Sequence, residues 1–139
     1  GGRGLITNSA IAAKALHPGI RMIGVEPDTG DDTKRSLDLG RRVTIDVPRT
    51  IADGQAATTP GELTFAVNQR LVETIALVSE DDIRHAMRFA FERLKIVIEP
   101  SGATGLAALL AGRIEHVPKR VGIIISGGNV DIQRFAENY

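Results

Sequence analysis

Val121-Gly122-Ile123-Ile124-Ile125 runs directly into Ser126-Gly127-Gly128-Asn129-Val130-Asp131. Five apolar or small residues in succession, rich in β-branched Ile and Val, predict a strand buried on both faces. Strands of that kind belong to parallel sheets covered by helices, which take ligands beyond the carboxyl ends of their strands. The residues after Ile125 suit that position. Ser126 offers a hydroxyl, the Gly127-Gly128 pair permits close backbone approach to a ligand, and Asn129 and Asp131 are able to cap a short last helix. A Gly-Gly turn with a helix cap accounts for the same residues without a ligand, so the remainder of the chain has to decide.

Upstream of this stretch, strands alternate with helices. Leu5 to Leu16 reads as an Ala-rich, largely buried helix ended by His17-Pro18-Gly19. Ile20 to Val25, Val43 to Val47 and Thr74 to Val78 are predicted strands, with a short helix over Thr33 to Leu39 stopped by Gly40. Thr59-Pro60-Gly61-Glu62 predicts a helix start with Thr59 as N-cap, Pro60 at N1 and Glu62 at N3, and with Leu63, Ala66, Val67 and Leu71 on one face. Ser79-Glu80-Asp81-Asp82 caps the clearest helix, in which Ile83, Ala86, Met87, Ala90, Phe91 and Leu94 fall at helical spacing. Ile96-Val97-Ile98 leads to Glu99-Pro100-Ser101-Gly102-Ala103 and an Ala/Leu helix ending at Gly112. The alternation predicts an α/β three-layer sandwich with a mostly parallel sheet.

A chain of 139 residues suits one domain with a real core. Seventeen basic residues balance seventeen acidic ones, which disfavours nucleic acid or an anionic membrane as partner. Without cysteine there is no disulfide framework, thiolate nucleophile or Cys-ligated metal. No apolar run reaches membrane-spanning length. The opening Gly1-Gly2-Arg3-Gly4 is no signal peptide, lacks an initiator Met and already looks like a site loop, so a fragment of a longer, cytoplasmic protein is expected.

That opening loop leads into a helix. Backbone N–H groups at a helix N-terminus, freed of Cβ atoms by glycine, form an anion cradle suited to phosphate. Gly2-Arg3-Gly4-Leu5-Ile6-Thr7 also approaches a dinucleotide-binding G-x-G-x-x-G, with Glu26 about where a ribose-binding acid would lie, but the third glycine is missing. Glu26, Gly30 and Asp32 share one acidic loop. Two carboxylates and a backbone carbonyl are what a hard cation such as Mg²⁺ or Ca²⁺ takes, while a cap by Asp31 or Asp32 on the following helix explains the same acids. His17, His85 and His116 do not converge in sequence, and Lys14, Lys34, Lys95 and Lys119 read as solvated side chains.

The ordered set is more specific than any member. Gly1-Gly-Arg-Gly-Leu5, Gly24-Val-Glu-Pro27 with Asp31-Asp32, Thr50-Ile-Ala-Asp-Gly54, Glu99-Pro-Ser-Gly102 and Ser126-Gly-Gly-Asn129 together resemble the fold-type II (tryptophan synthase β-like) pyridoxal-phosphate enzymes. Within these the chain is similar to the serine/threonine dehydratase and serine racemase family, which includes hydroxyaspartate ammonia-lyases. The resemblance covers residues 1–139 as the C-terminal part of the large cofactor-binding domain. It implies that Gly1, Gly2, Arg3, Gly4 and Leu5 cradle the cofactor's phosphate, with Arg3 in place of the family's third glycine. It implies that Ser126 bonds the pyridine nitrogen, that Asp53 and Gly54 lie on the substrate side, and that Glu99 faces the ring region. Glu26, the Gly30 carbonyl and Asp32 become a divalent-cation site. The cofactor-holding lysine, the substrate-carboxylate loop and the small domain belong to an N-terminal half upstream of Gly1, and the intact enzyme is expected to be a homodimer acting on a small amino acid. No catalytic residue is expected within the chain itself. The alternative is a non-catalytic nucleotide-binding or regulatory α/β module.

Overall fold

The computed structural model describes residues Gly4 to Glu137. Two short strands run side by side: β1 (Ile23–Pro27) and β2 (Thr74–Val78) pair in parallel, Ile23 opposite Thr74 through to Pro27 opposite Val78. Parallel neighbours need a crossover, and α2 (Asp32–Leu39) and α3 (Glu62–Leu71) lie within it. α1 (Gly4–Leu16) precedes β1, while α4 (Glu80–Phe89), α5 (Pro100–Leu110) and α6 (Ile132–Glu137) follow β2. No helix among the described residues is long and apolar enough to cross a membrane.

β2 shows why the architecture has three layers. Side chains alternate across a strand. Ile75 and Leu77 join Ile6, Ala10, Leu37 and Val72 on one side of the sheet. Ala76 and Val78 join Ile83, Ala86, Met87, Ala103, Leu106 and Ala107 from α4 and α5 on the other. One five-residue strand thus contributes to both cores, and the expected α/β sandwich is the observed one. At Gly24 of β1, an added Cβ would collide with the side-chain tips of Ile75 and Ile6. Glycine there lets α1 settle directly onto the sheet.

The start of α4 is the capping box its sequence promises. The Ser79 hydroxyl accepts from the Asp82 N–H at 3.2 Å, and the Asp82 carboxylate accepts from the Ser79 N–H at 3.0 Å. Arg113, just beyond α5, also donates to Asp82 at 2.9 Å and ties the two helices together. Asp131 caps α6 as expected, accepting from the Arg134 N–H at 2.8 Å.

Several expectations are corrected. The segment 121–125 is not in a ladder, and Val121, Ile124 and Ile125 are 44%, 54% and 37% exposed. A doubly buried strand needs a neighbour on each flank, whereas the described sheet has two strands; of the segment, Ile123 packs on the α4/α5 core. Residues 43–47 are not a strand either: the Ile45 N–H bonds to the Thr58 carbonyl at 2.9 Å across a loop, and Val47 is exposed. β1 begins at Ile23 and runs to Pro27, which brings Glu26 into the strand. α1 buries Thr7 and Ala10 while Leu5, Ile11 and Leu16 stay exposed, because an apolar helix without a one-sided stripe cannot be covered all round by one sheet and one helix. α3 starts at Glu62 with Gly61, not Thr59, as N-cap, and it turns Phe65 and Asn68 inward instead of Leu63. Asn68 accepts from the Thr7 hydroxyl at 2.8 Å, a buried polar bridge from α3 to α1. Beyond α4 the chain widens into a π-turn over Ala90–Leu94, which leaves Phe91 and Leu94 exposed.

Candidate cofactor and substrate site

A cavity of about 930 Å³ opens between α1, β1, the start of α5 and the segment leading to Ser126. Leu5, Ile6 and Ser9 reach it from α1, and Gly24 and Glu26 from β1. Gly54 and Gln55, Glu99 and Ser101, and finally Ser126 add polar groups to its lining. The apolar remainder includes Val121, Ile123 and Ile124. The exposed Val121 and Ile124 therefore face this space, whereas Ile125 lies outside the lining.

Local bonds fix the polar lining. The Gly54 N–H donates to the Ser101 hydroxyl at 2.9 Å, joining the short 3-10 turn Asp53–Gln55 to the first turn of α5. The Gln55 side-chain amide donates to the Val25 carbonyl at 2.9 Å, and the Glu80 carboxylate accepts from the Ile51 N–H at 2.8 Å. These ties hold the Thr50-to-Gln55 loop against both β1 and α4. The sequence reading missed Gln55, Ser101 and Glu80. Ser101 was legible in principle, as the hydroxyl residue next to Pro100 at a helix start.

Of the expected site residues, Leu5, Glu26, Gly54, Glu99 and Ser126 border the cavity. Asp53 is exposed and lies outside the lining. Gly4 opens α1, and among the described residues nothing lies within 4 Å of where its Cβ would stand. Gly1, Gly2 and Arg3 lie outside the described residues. The Gly127-Gly128 pair is engaged by protein rather than left open to a ligand: a Cβ on Gly127 would stand 2.6 Å from a Glu99 carboxylate oxygen, and one on Gly128 2.7 Å from the Val97 carbonyl oxygen.

In the acidic loop the helix cap is not the one the sequence suggested. Asp31 occupies the N-cap position of α2 without a side-chain cap bond and instead pairs with Arg35 at 2.8 Å. Glu26 does the capping from the neighbouring strand, its carboxylate accepting from the N–H groups of Thr33 at 3.3 Å and Lys34 at 3.0 Å. Negative charge is favourable at that end of a helix. Asp32 is fully buried, Gly30 is buried against Pro48, and neither borders the cavity. Among the described residues no three His, Cys, Asp or Glu side chains gather as a metal cluster. A cation here would rest on Glu26, Asp32, the Gly30 carbonyl and waters.

At another part of the cavity wall, Arg21 grips Glu73 at 2.7 Å and donates to the His116 and Glu115 carbonyls. The hydrogen bond from Arg21 holds the Glu73 carboxyl below the usual carboxylate range. His17, His85 and His116 are all exposed, and among the described residues no lysine borders the cavity.

The sequence pattern of the family described as "Pyridoxal-phosphate dependent enzyme" matches residues 1–127. L-threo-3-hydroxyaspartate ammonia-lyase of Saccharomyces cerevisiae is 46% identical over 136 residues, covering 98% of this chain and 42% of that protein. Serine racemase of Dictyostelium discoideum is 46% identical over 141 residues, covering 99% of this chain and 43% of the relative. Among solved structures, maize serine racemase superposes with a TM-score of 0.90 at 41% identity, over 98% of this chain and 43% of that one. The chain thus spans less than half the length of the relatives it matches. With residues 1–127 matched by the family pattern and the fold shared with maize serine racemase, the chain belongs to the pyridoxal-phosphate dependent enzyme family.

Proposed function

We propose that the chain is the C-terminal part of the cofactor-binding domain of an ammonia-lyase or racemase acting on hydroxy-amino acids. The observation that carries this reading is convergence: Leu5, Gly54, Glu99 and Ser126, drawn from four separate stretches, border one cavity. These residues fit pyridoxal phosphate. The first turn of α1 offers backbone N–H groups to a phosphate, and Ser126 offers a neutral hydroxyl to the pyridine nitrogen. When bound, the cofactor supplies an electron sink for charge developing at the substrate's α-carbon. A hydroxyl partner leaves the ring less electron-withdrawing than a carboxylate would, which suits β-elimination over transamination. Gly54, held by Ser101, presents backbone on the substrate side. Loss of the α-proton and the β-hydroxyl, together as water, leaves an enamine, whose imine tautomer takes up water to give the keto acid and ammonia.

Three finer assignments belong to the same proposal. The N-terminal part of the fold supplies the cofactor-holding lysine, the substrate-carboxylate loop and the small domain. Glu26, the Gly30 carbonyl and Asp32 hold Mg²⁺ or Ca²⁺, supported by the burial of both acids and by an all-oxygen donor set. A cytoplasmic homodimer is the setting the resemblance implies. The non-catalytic nucleotide-binding alternative is not favoured, because the chain belongs to the pyridoxal-phosphate dependent enzyme family.

The full-length polypeptide, loaded with pyridoxal phosphate, should release ammonia and a keto acid from L-serine, L-threonine or L-threo-3-hydroxyaspartate. The chain of residues 1–139 alone should not, and borohydride should trap cofactor at none of Lys14, Lys34, Lys95 or Lys119. A full-length protein that binds no pyridoxal phosphate would overturn the reading, as would specific trapping and turnover by the short chain.

A further inference from the structure

Ser126 sits on a segment outside any ladder, so the position of its hydroxyl depends on whatever fixes the backbone beside it. Glu99 does this with two of its own groups. Its backbone N–H donates to the Gly127 carbonyl at 3.0 Å, and its carboxylate accepts from the Asn129 N–H at 3.0 Å. The two chain segments lie in direct contact. A Cβ on Gly102 would stand 2.7 Å from the Gly127 carbonyl oxygen, closer than real Cβ atoms come. Glu99 is also the N-cap residue of α5 and borders the cavity beside Ser101. One residue therefore brackets the turn just after Ser126 from a rigid helix start while facing the same space.

We propose that Glu99 is a positioning residue for Ser126, acting by hydrogen bonds to the 127–129 turn and not through its charge on the ring. The proposal rests on the reading of Ser126 as the partner of the pyridine nitrogen. Length is the decisive property. Glu99→Gln keeps the reach and an acceptor for the Asn129 N–H, whereas Glu99→Asp keeps the charge but is one methylene too short.

The test measures pyridoxal-phosphate dissociation constants and the visible absorption maximum of the bound cofactor in the full-length enzyme. Ser126→Ala is expected to weaken binding about tenfold, as for one lost hydrogen bond to the cofactor. Glu99→Gln should stay within about threefold of the native protein, since a neutral acceptor replaces a charged one. Glu99→Asp should lose about as much as Ser126→Ala and shift the absorption in the same sense. The double variant Ser126→Ala/Glu99→Asp should be no weaker than the worse single one, because both act through one contact. Native-like binding by Glu99→Asp with a large loss in Glu99→Gln would overturn the proposal in favour of a charge effect. Additive losses in the double variant would overturn it as well. If Ser126→Ala itself leaves affinity and absorption unchanged, the cofactor reading of Ser126 fails. If Ser126→Ala weakens binding and Glu99→Asp does not, the positioning role alone falls.

Discussion

Glu26 shows how a side chain's partner is chosen by the fold and not by its neighbours in sequence. The acids adjacent to α2 are Asp31 and Asp32, and sequence spacing points to them as caps. The parallel strand instead delivers Glu26 to the helix end, where it receives the Thr33 and Lys34 N–H groups. Glu26→Ala should therefore cost about 2 kcal/mol, the range of a hydrogen bond to a charged group. Asp31→Ala should cost less than about 1 kcal/mol, as a partly exposed i,i+4 pair is lost. Denaturant unfolding of the two variants checks the order, and a larger loss for Asp31→Ala would contradict it. The cation proposal makes a separate demand at the same place. Millimolar-order Mg²⁺ or Ca²⁺ should raise the melting temperature of the full-length protein by mass action. Asp32→Ala should abolish that rise and Asp28→Ala should retain it. A melting curve indifferent to both ions would leave Glu26 as a helix cap only. That an acid of this stretch caps α2 was legible, with Asp31 or Asp32 as the candidates; that the acid is Glu26 was not, because it depends on where the fold brings β1 against the helix start.

At the scale of elements, legibility follows how far each signal is local. β2 and the start of α4 depend on contiguous patterns, five apolar-rich residues and a Ser-x-x-Asp box, and both were readable. The segment 121–125 has an equally strong local pattern, but a strand exists only with a ladder, and a ladder is a property of two segments. The capping box also carries a pH dependence. Burial pushes the Asp82 carboxyl up, but hydrogen bonds from the Ser79 N–H and then from Arg113 more than offset this and hold it below the ordinary aspartate value. A group whose folded pKa is depressed contributes stability fully above its unfolded pKa, near 3.9, and loses it as pH falls through the folded value. Asp82→Asn should thus cost roughly 1 kcal/mol at neutral pH, the typical worth of a cap. The gap to the native protein should close as the pH falls below about 4. Thermal melts of both proteins across this range test the sign, and a gap that stays constant would place the stabilisation elsewhere than in the carboxylate.

The whole molecule carries apolar surface that its own residues do not cover. Leu5, Leu16 and Ile20 at α1 and beyond it, and Val117, Val121 and Ile124 on the later segment, are each more than a third exposed, and all border the same cavity. A contiguous apolar face of this kind marks a place where something else docks. The proposed occupant is the N-terminal part of the same fold, since the relatives are more than twice the length of the matched region. Its strands would provide segment 121–125 with the ladder neighbour its sequence calls for, and its lysine would enter the cavity bordered by Ser126. On that proposal, the doubly buried strand predicted over 121–125, which residues 4–137 do not form, would form only with the N-terminal part in place. The expected outcome is measurable without catalysis. The chain of residues 1–139 should bind an apolar-surface dye and self-associate as its concentration rises. The full-length protein should bind little dye, and its backbone amides at 121–125 should gain protection from hydrogen exchange of about a hundredfold or more, as ladder formation turns local opening into a cooperative event. Equal exchange at Ile123, Ile124 and Ile125 in the two proteins would show that the segment never enters a sheet, and the docking of the N-terminal part would then have to be sought on another face.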